Sequence, residues 1–370
     1  MRSSGQHGVR ICETPESVLS SGRLSIPFHQ NIRPLPGVFT CIRINMKSRI
    51  LISAILLLCS MFRVSAQDEP QFSQYMAAPV LFNPAAAGLD QAWNSALLVR
   101  NQWVGLPGAP TTQAIATELP VYRIRSGISL RVMNDRAGQQ NTTVANIGYS
   151  YQLRAGSGLL GLGVHAGIAS RSLDGSRLIA PDGSYEAGVD HNDDQLPVTL
   201  VSSLIPDAGA GVFFRNERLQ AGLSVTHLAG SSFSFDAPGG SAGIQYHPVG
   251  YVFVSWKVLQ QENWSLEPGV LYKTDLTEQM LDANLLFSWR ETLLAGLSLR
   301  SLDAGRRDAL VAMGGWNFSK YWGIRYSYDL TLSALNNAQS GSHELVLTYR
   351  YPLAPPRAGK EINNLRYLYY

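Results

Sequence analysis

Ala145-Asn146-Ile147-Gly148-Tyr149-Ser150-Tyr151-Gln152-Leu153 is the stretch on which the fold turns: its odd positions are apolar and its even positions polar or small. Successive side chains on a pleated strand face opposite ways, so this run makes a ribbon with one oily face and one wet face. The alternation returns at Leu160, Leu162, Val164, Ala166 and Ile168, and at Leu219, Ala221, Leu223 and Val225. Toward the C-terminus it recurs around Trp264–Tyr272, Leu281–Trp289, Leu293–Leu299, Trp322–Tyr328 and Leu345–Tyr351. Weaker copies near residues 93–104, 111–119, 126–134, 207–215, 248–257 and 307–318 bring the total to about fourteen strands, most of them near the roughly 9 to 11 residues that a tilted membrane span needs.

A soluble β-sandwich or an enclosed-ligand barrel also alternates, so three further features decide between them. Most of the strands are longer than the roughly 5 or 6 residues usual in globular sheets. Trp256, Trp264, Trp289, Trp316, Trp322 and Tyr351 gather at strand ends, where a ring body sits in lipid and its polar tip among headgroups. Charges inside the strands, namely Glu267, Asp282, Arg325, Asp329, Glu344 and Arg350, take the parity opposite to the apolar residues. An Arg facing mid-bilayer lipid costs about 2–4 kcal/mol, so this parity keeps the lipid face nearly free of charge. Open strand edges in hydrocarbon leave backbone groups unpaired, which forces closure. The expected fold is all-β: a transmembrane antiparallel barrel of about fourteen strands over residues 93–351, with a short periplasmic segment at 67–92 and a periplasmic tail at 352–370.

Composition agrees with a half-wet surface, since charged residues are 15% of the chain against about 25% in a soluble domain. The formal charge of +3 misleads. Residues 1–66 carry 8 Lys/Arg and 2 Asp/Glu, which leaves 22 basic and 25 acidic residues in the remainder and no electrostatic case for nucleic acid as a partner. From Met46 the chain reads as a signal peptide, with Lys47 and Arg49, an apolar run from Ile50 to Phe62, and Val64-Ser65-Ala66 before Gln67. Residues 1–45 read as an overextended start or a disordered extension. Cys12, Cys41 and Cys59 all precede the expected cleavage, so the mature chain holds no disulfide, thiolate nucleophile or thiolate metal site.

The turns are short, as at Arg215-Asn216-Glu217, except for two long connections at 172–206 and 228–245, which are expected outside the cell as contact surfaces. Signals for chemistry are missing. The cluster Asp190, His191, Asn192, Asp193 and Asp194 lacks the spacing of a calcium loop and reads as solvated acid. No His-Glu-x-x-His helix or Gly-x-Ser-x-Gly elbow occurs. Gly161-Leu162-Gly163-Val164-His165-Ala166-Gly167 mimics a phosphate loop, but it lies inside an alternating strand, where small residues facing a crowded lumen explain it better. Neither an enzyme activity nor a metal nor a cofactor is expected.

The mature N-terminus reads Pro70-Gln71-Phe72-Ser73-Gln74-Tyr75-Met76, then Asn83-Pro84 with Gly88, then Arg100-Asn101-Gln102-Trp103 with Gly108-Ala109-Pro110. Asn134-Asp135-Arg136 and Leu173-Asp174-Gly175-Ser176 follow. In these motifs the chain resembles the PorP/SprF family of type IX secretion system membrane proteins of Bacteroidetes over residues 67–351. The resemblance implies a non-enzymatic outer-membrane barrel of the secretion and gliding machinery. Its implied partners are the periplasmic ring, formed by a lipoprotein and its partner, and adhesin cargo with a type IX C-terminal signal. A porin-like solute channel is the alternative, and a soluble periplasmic β protein a third reading. Ala77 and Ala78 stand where bulkier residues are common in the family, and the tail after Tyr351 is longer than usual. Two roles suit the opening motif: Phe72, Tyr75, Met76 and Phe82 tuck into the periplasmic mouth with a turn at Asn83-Pro84, or the same aromatics dock a partner. The first is preferred because a terminus must be tied down. Arg100, Trp103 and Pro107–Pro110 are expected to shape the first hairpin.

Overall fold

In the computed structural model, residues 69–353 are described, except 187, 304 and 305. The expected signal peptide, the extension before it and most of the tail lie outside the described residues. Seventeen strands follow one another: β1 (Ala92–Asn101), β2 (Thr111–Val121), β3 (Ser126–Ala137), β4 (Gln140–Ala155), β5 (Gly158–Asp174), β6 (Leu200–Arg215), β7 (Leu219–Thr226), β8 (Ser232–Ala237), β9 (Gly240–Gln245), β10 (Val249–Trp256), β11 (Leu259–Gln260), β12 (Trp264–Thr274), β13 (Gln279–Trp289), β14 (Leu293–Asp303), β15 (Arg306–Trp316), β16 (Trp322–Thr331) and β17 (Ser342–Pro352).

Fourteen of them, all but β8, β9 and β11, form one antiparallel barrel among the described residues. Neighbours in sequence pair throughout, β10 reaches directly to β12, and β1 closes on β17 from Ala92↔Pro352 to Asn101↔His343. Closure leaves no barrel strand as a free edge of the sheet, which is what lipid demands. The alternation sets the faces as expected. Ile147, Leu162, Val164, Leu223 and Leu297 are exposed on the outside, while Asp282, Asp329 and Glu344 are buried within.

Tall strands β4, β5 and β6 (16, 17 and 16 residues) stand beside short β7 and β10 (8 residues each). Paired with β5 up to Asp174↔Leu200, β6 rises well above β7, which it meets only from Ala210↔Val225, so β6 starts at Leu200 rather than near 207, inside the expected loop. Alternation is weak there because Ser202 and Pro206 interrupt the outward, apolar side. The second long connection is likewise part strand. Its β8–β9 hairpin turns inward, burying Phe233 and Phe235, with the Arg171 guanidinium 4.7 Å above the Phe233 ring.

The longest connections, 175–199 and 227–248, lie at the end opposite Ala92 and Pro352, which places the Ala92 end in the periplasm and the other end outside the cell. Trp93, Trp256, Trp289, Trp316, Trp322 and Tyr351 are exposed at the periplasmic end, and rings pack together there, Trp322 tilted against Tyr349 at 4.8 Å and Trp93 edge-on to Tyr349 at 5.6 Å. This is an interfacial aromatic belt on one rim.

Residues 69–91 precede β1 and occupy the lumen, turning through three single-turn 3-10 helices, Tyr75–Ala77, Pro79–Leu81 and Pro84–Ala86. The expectation that the aromatics enter the barrel at its periplasmic mouth understates their reach. From β1 the segment runs back up the lumen, and Glu69 lies among residues at the outer ends of β7 and β12. Apolar burial drives this. Tyr75, Val80, Leu81, Phe82, Ala85, Ala86 and Ala87 are all buried, and Phe82 packs on the rings of Tyr251 and Phe253 at 5.7 and 5.6 Å.

Candidate functional site: a barrel closed by its own N-terminus

Four sets of contacts hold residues 69–91 to the wall. The outermost centres on Glu69. One of its carboxylate oxygens accepts from the Tyr251 hydroxyl at 2.6 Å, the other lies 3.4 Å from His227 Nε2, and Lys273 Nζ donates to its backbone carbonyl at 2.7 Å. On the far side of the imidazole, His227 Nδ1 lies 2.7 Å from Asp207, which also accepts from Asn146 at 2.6 Å. Burial alone raises the Glu69 carboxyl, but the charges of His227, Lys273 and Arg131 outweigh it and hold the group far below the ordinary carboxylate range. Burial likewise lowers the His227 imidazole, yet Glu69 and Asp207 lift it to about 8.

The second set is a compact ion cluster. Arg100 Nη2 lies 2.7 Å from Asp329 and its Nη1 3.1 Å from Glu344. Arg300 bridges Asp282 at 3.1 Å and Asp329 at 3.0 Å. Into this cluster the segment inserts Ser73. Its backbone N–H donates to Glu344 at 2.8 Å, as does that of Gln74 at 2.7 Å, and its Oγ lies within 2.9 Å of both Asp329 oxygens. Both arginines donate to that Oγ, at 2.9 and 3.0 Å. Next along, the Tyr75 hydroxyl donates to Asp282 at 3.3 Å and accepts from the Asn284 amide.

The third set runs down the β4–β7 wall. Asn83 donates to the carbonyls of Val212 and Leu223, each at 3.1 Å, while its Oδ1 accepts from Ala85 N–H and so caps the turn. Ser150 and Gln152 donate to the carbonyls of Ala85 and Ala87 at 2.9 and 3.2 Å. The backbone approaches the wall closely here, against Gly127, Gly161 and Gly163, where an added Cβ meets residues 85–88 at under 2.5 Å. The fourth set is the periplasmic base. Gly88, at φ +71°, donates to Glu118 at 3.0 Å, and Asp90 is gripped by Arg215 at 2.6 Å and Arg350 at 2.8 Å. Burial raises the Asp90 carboxyl, but the two guanidiniums bring it below its usual value.

The residues singled out in the sequence divide between this site and the outer rim. Phe72, Ser73, Gln74, Tyr75, Met76, Asn83, Pro84, Gly88 and Arg100 belong to one assembly, and Arg300 donates to the Phe72 carbonyl at 3.5 Å. Gln71 precedes them in the same segment. Asn101 ends β1 at the outer rim and Gln102 and Trp103 follow it, with Trp103 N–H donating to Ser342 at 3.1 Å. Asn134 and Asp135 are also near that rim, bonded to Thr143 and Thr112, and Arg136 is exposed. Sequence reasoning placed Arg100 in the first hairpin and missed that its guanidinium holds the opening motif. The 27-residue separation of Ser73 and Arg100 carries no local signal. Among the described residues no three His, Cys, Asp or Glu side chains are grouped to hold a metal.

A family profile described as "Type IX secretion system membrane protein PorP/SprF" matches residues 64–349. This chain belongs to the PorP/SprF family. The barrel is therefore an outer-membrane component of the type IX secretion system, as the resemblance implied. No curated protein sequence matches it. Among solved structures it is similar to the P. putida toluene transporter TodX (11% identity, TM-score 0.41, 74% of this chain and 93% of that one) and to the Acinetobacter baumannii outer membrane protein Omp33 (8%, 0.39, 71% and 100%). A KdgM porin is also similar (8%, 0.32, 69% and 98%). Nothing about ligands or transport follows from likenesses of this size.

The Glu69–His227–Asp207 arrangement makes the upper end of this PorP/SprF segment pH-sensitive. A histidine raised from its ordinary 6.5 to about 8 contributes fully below pH 6.5 and loses its contribution as pH rises through 8, a loss of about 2 kcal/mol. Hydrogen exchange over residues 69–76 is expected to speed up between pH 6.5 and 9 by about an order of magnitude more than the intrinsic rate, and His227→Gln to flatten that excess. Equal protection at both pH values means that His227 is not charged in the folded barrel.

Proposed function

We propose that this PorP/SprF barrel works as a closed, non-enzymatic scaffold of the type IX secretion and gliding machinery. It binds protein partners at its two faces and does not conduct solutes through its lumen. The periplasmic face is read as contacting the ring formed by a lipoprotein and its partner, and the outer loops as aiding export and surface attachment of cargo bearing the C-terminal signal. One observation carries the reading: residues 69–91 fill the lumen from the loop side to the periplasmic rim and are bonded to strands around the whole wall. A buried charge cluster satisfied by a segment of the same chain holds that segment in place, whereas a solute path needs an open, hydrated polar lining.

Reconstitution into planar bilayers is expected to give no steady current, where the porin-like alternative gives open-channel steps. Affinity capture from detergent extract is expected to recover ring components or C-terminal-signal cargo. Steady conductance together with capture of neither overturns this reading.

A further inference from the structure

At the periplasmic rim, beside the base of the N-terminal segment, lies a recess of about 610 Å³. Its walls come from the end of that segment (Leu89, Asp90, Gln91), the β4–β5 turn, the β6–β7 turn, Lys257 and Glu267. That volume is in the class that encloses a small ligand or a few peptide residues.

The charges around it are unevenly satisfied. Asp90 is taken by Arg215 and Arg350, and Glu267 accepts from Ser255 Oγ at 2.5 Å. The side chains of Arg154, Arg218 and Lys257 have no ion pair or hydrogen bond among the described residues, and they outnumber the two lining carboxylates that have no salt bridge there, Glu217 and Glu267. The chain after residue 66 is slightly acidic, so a local surplus of free cations in a recess of this size is not a by-product of composition. The cations are spread over two turns and a third segment, which suits carboxylates spaced along an extended chain.

We propose that this recess is a docking site for an acidic polypeptide segment presented from the periplasm, and that its carboxylates compete with Asp90 for Arg215. The site rests on the scaffold reading above and specifies the chemistry of its periplasmic partner. The competition gives docking a consequence inside the barrel. Asp90 lies two residues before β1 and ties the base of the luminal segment to the wall, so a carboxylate that draws Arg215 away loosens that tie. Arg215 is suited to the exchange, because its side chain remains 27% exposed while its Asp90 partner is 14% exposed.

The test uses the full mature chain in uncharged detergent and fluorescence anisotropy of a fluorescein-labelled hexaglutamate peptide, with hexaglutamine and hexalysine as controls. Hexaglutamate is expected to bind, with both controls failing to do so. The triple variant Arg154→Glu, Arg218→Glu, Lys257→Glu is expected to weaken binding by roughly tenfold or more, since it turns three attractive charges at the recess into repulsive ones. Asp90→Asn is expected to act in the opposite direction and tighten binding several-fold, because it removes the internal competitor. A merely structural role for Asp90 predicts no gain. Heat-modifiable migration establishes that each variant has kept its barrel. Hexaglutamate binding no better than hexaglutamine, or binding untouched by the triple variant, overturns the proposal. Displacement by inorganic phosphate at equal charge also overturns it and marks a generic anion site. If hexaglutamate fails while ring components are still captured, the site falls and the scaffold reading stands; the converse result sinks the scaffold reading alone.

Discussion

Gly127→Val combined with Gly163→Val is expected to push the N-terminal segment out of the lumen while leaving the barrel intact. An added Cβ at Gly127 falls 2.0 Å from the Ala87 carbonyl oxygen, and at Gly163 2.3 Å from both Cα and N of Ala85. Backbone on the other side cannot swing away as a flexible side chain would, and each overpacked contact costs about 1–3 kcal/mol. The wall itself tolerates the change, because valine suits a strand and both positions lie within unbroken ladders. Residues 67–370 contain no cysteine, so a chain expressed from Gln67 offers a clean reporter: Met76→Cys, half-buried in the native lumen, is expected to react with a membrane-impermeant maleimide at least about tenfold faster in the double variant. Gly314→Val is the control, since that glycine faces outward and an added Cβ there meets nothing within 4 Å. Unchanged labelling in a double variant that still shows heat-modifiable migration contradicts the packing described for residues 85–88.

These glycines also show how far the sequence could be read. Alternation and charge parity yield the barrel, its strand number and its lumen-facing charges, because both patterns are local and a period of two has one physical meaning in a long strand. The run Gly161–Gly167 even signals a crowded lumen. What crowds it was hidden, since Pro70–Leu89 has no period: a chain pinned through its backbone carbonyls needs no repeating side chain. Its partners, from Arg131 on Leu81 to Glu118 on Gly88, lie 30 to 50 residues away, and other contacts span far more. The opening motif marked itself by composition, yet only the closed barrel brings Ser73 between Arg100, Asp329 and Glu344. The upper reach of β5 and β6 was lost for the opposite reason. Above the lipid band no bilayer enforces alternation, so Ser202, Ser203 and Pro206 can stand in a strand without showing it.

Arg100→Ala is expected to be the most damaging single substitution in the luminal segment's attachment. It removes the partner of Asp329 and Glu344, both nearly inaccessible to water, and takes one donor from Ser73 Oγ. Stripping one side of a buried pair leaves an uncompensated charge and costs about 3–5 kcal/mol, whereas exchanging the whole set for apolar groups is often neutral. That asymmetry yields a graded series. Arg100→Lys is expected to recover only part of the loss, because a single ammonium cannot fork between two carboxylates as the guanidinium does. Arg100→Met with Glu344→Gln is expected to be less destabilised than Arg100→Ala alone despite carrying two changes, because the neutral amide strands no charge, its oxygen still accepts from the segment's backbone, and Asp329 is still held by Arg300. Ser73→Ala loses hydrogen bonds but strands no charge that Arg100 and Arg300 do not already meet, so about 1–3 kcal/mol is expected. Urea midpoints in detergent, read beside the reactivity of Met76→Cys, order the four variants. A cluster that only decorates the lumen predicts Arg100→Ala within about 0.5 kcal/mol of the parent and no rise in labelling. A cluster that fastens the segment predicts that stability and labelling change together, because the same carboxylates that need Arg100 also hold the backbone of Ser73 and Gln74.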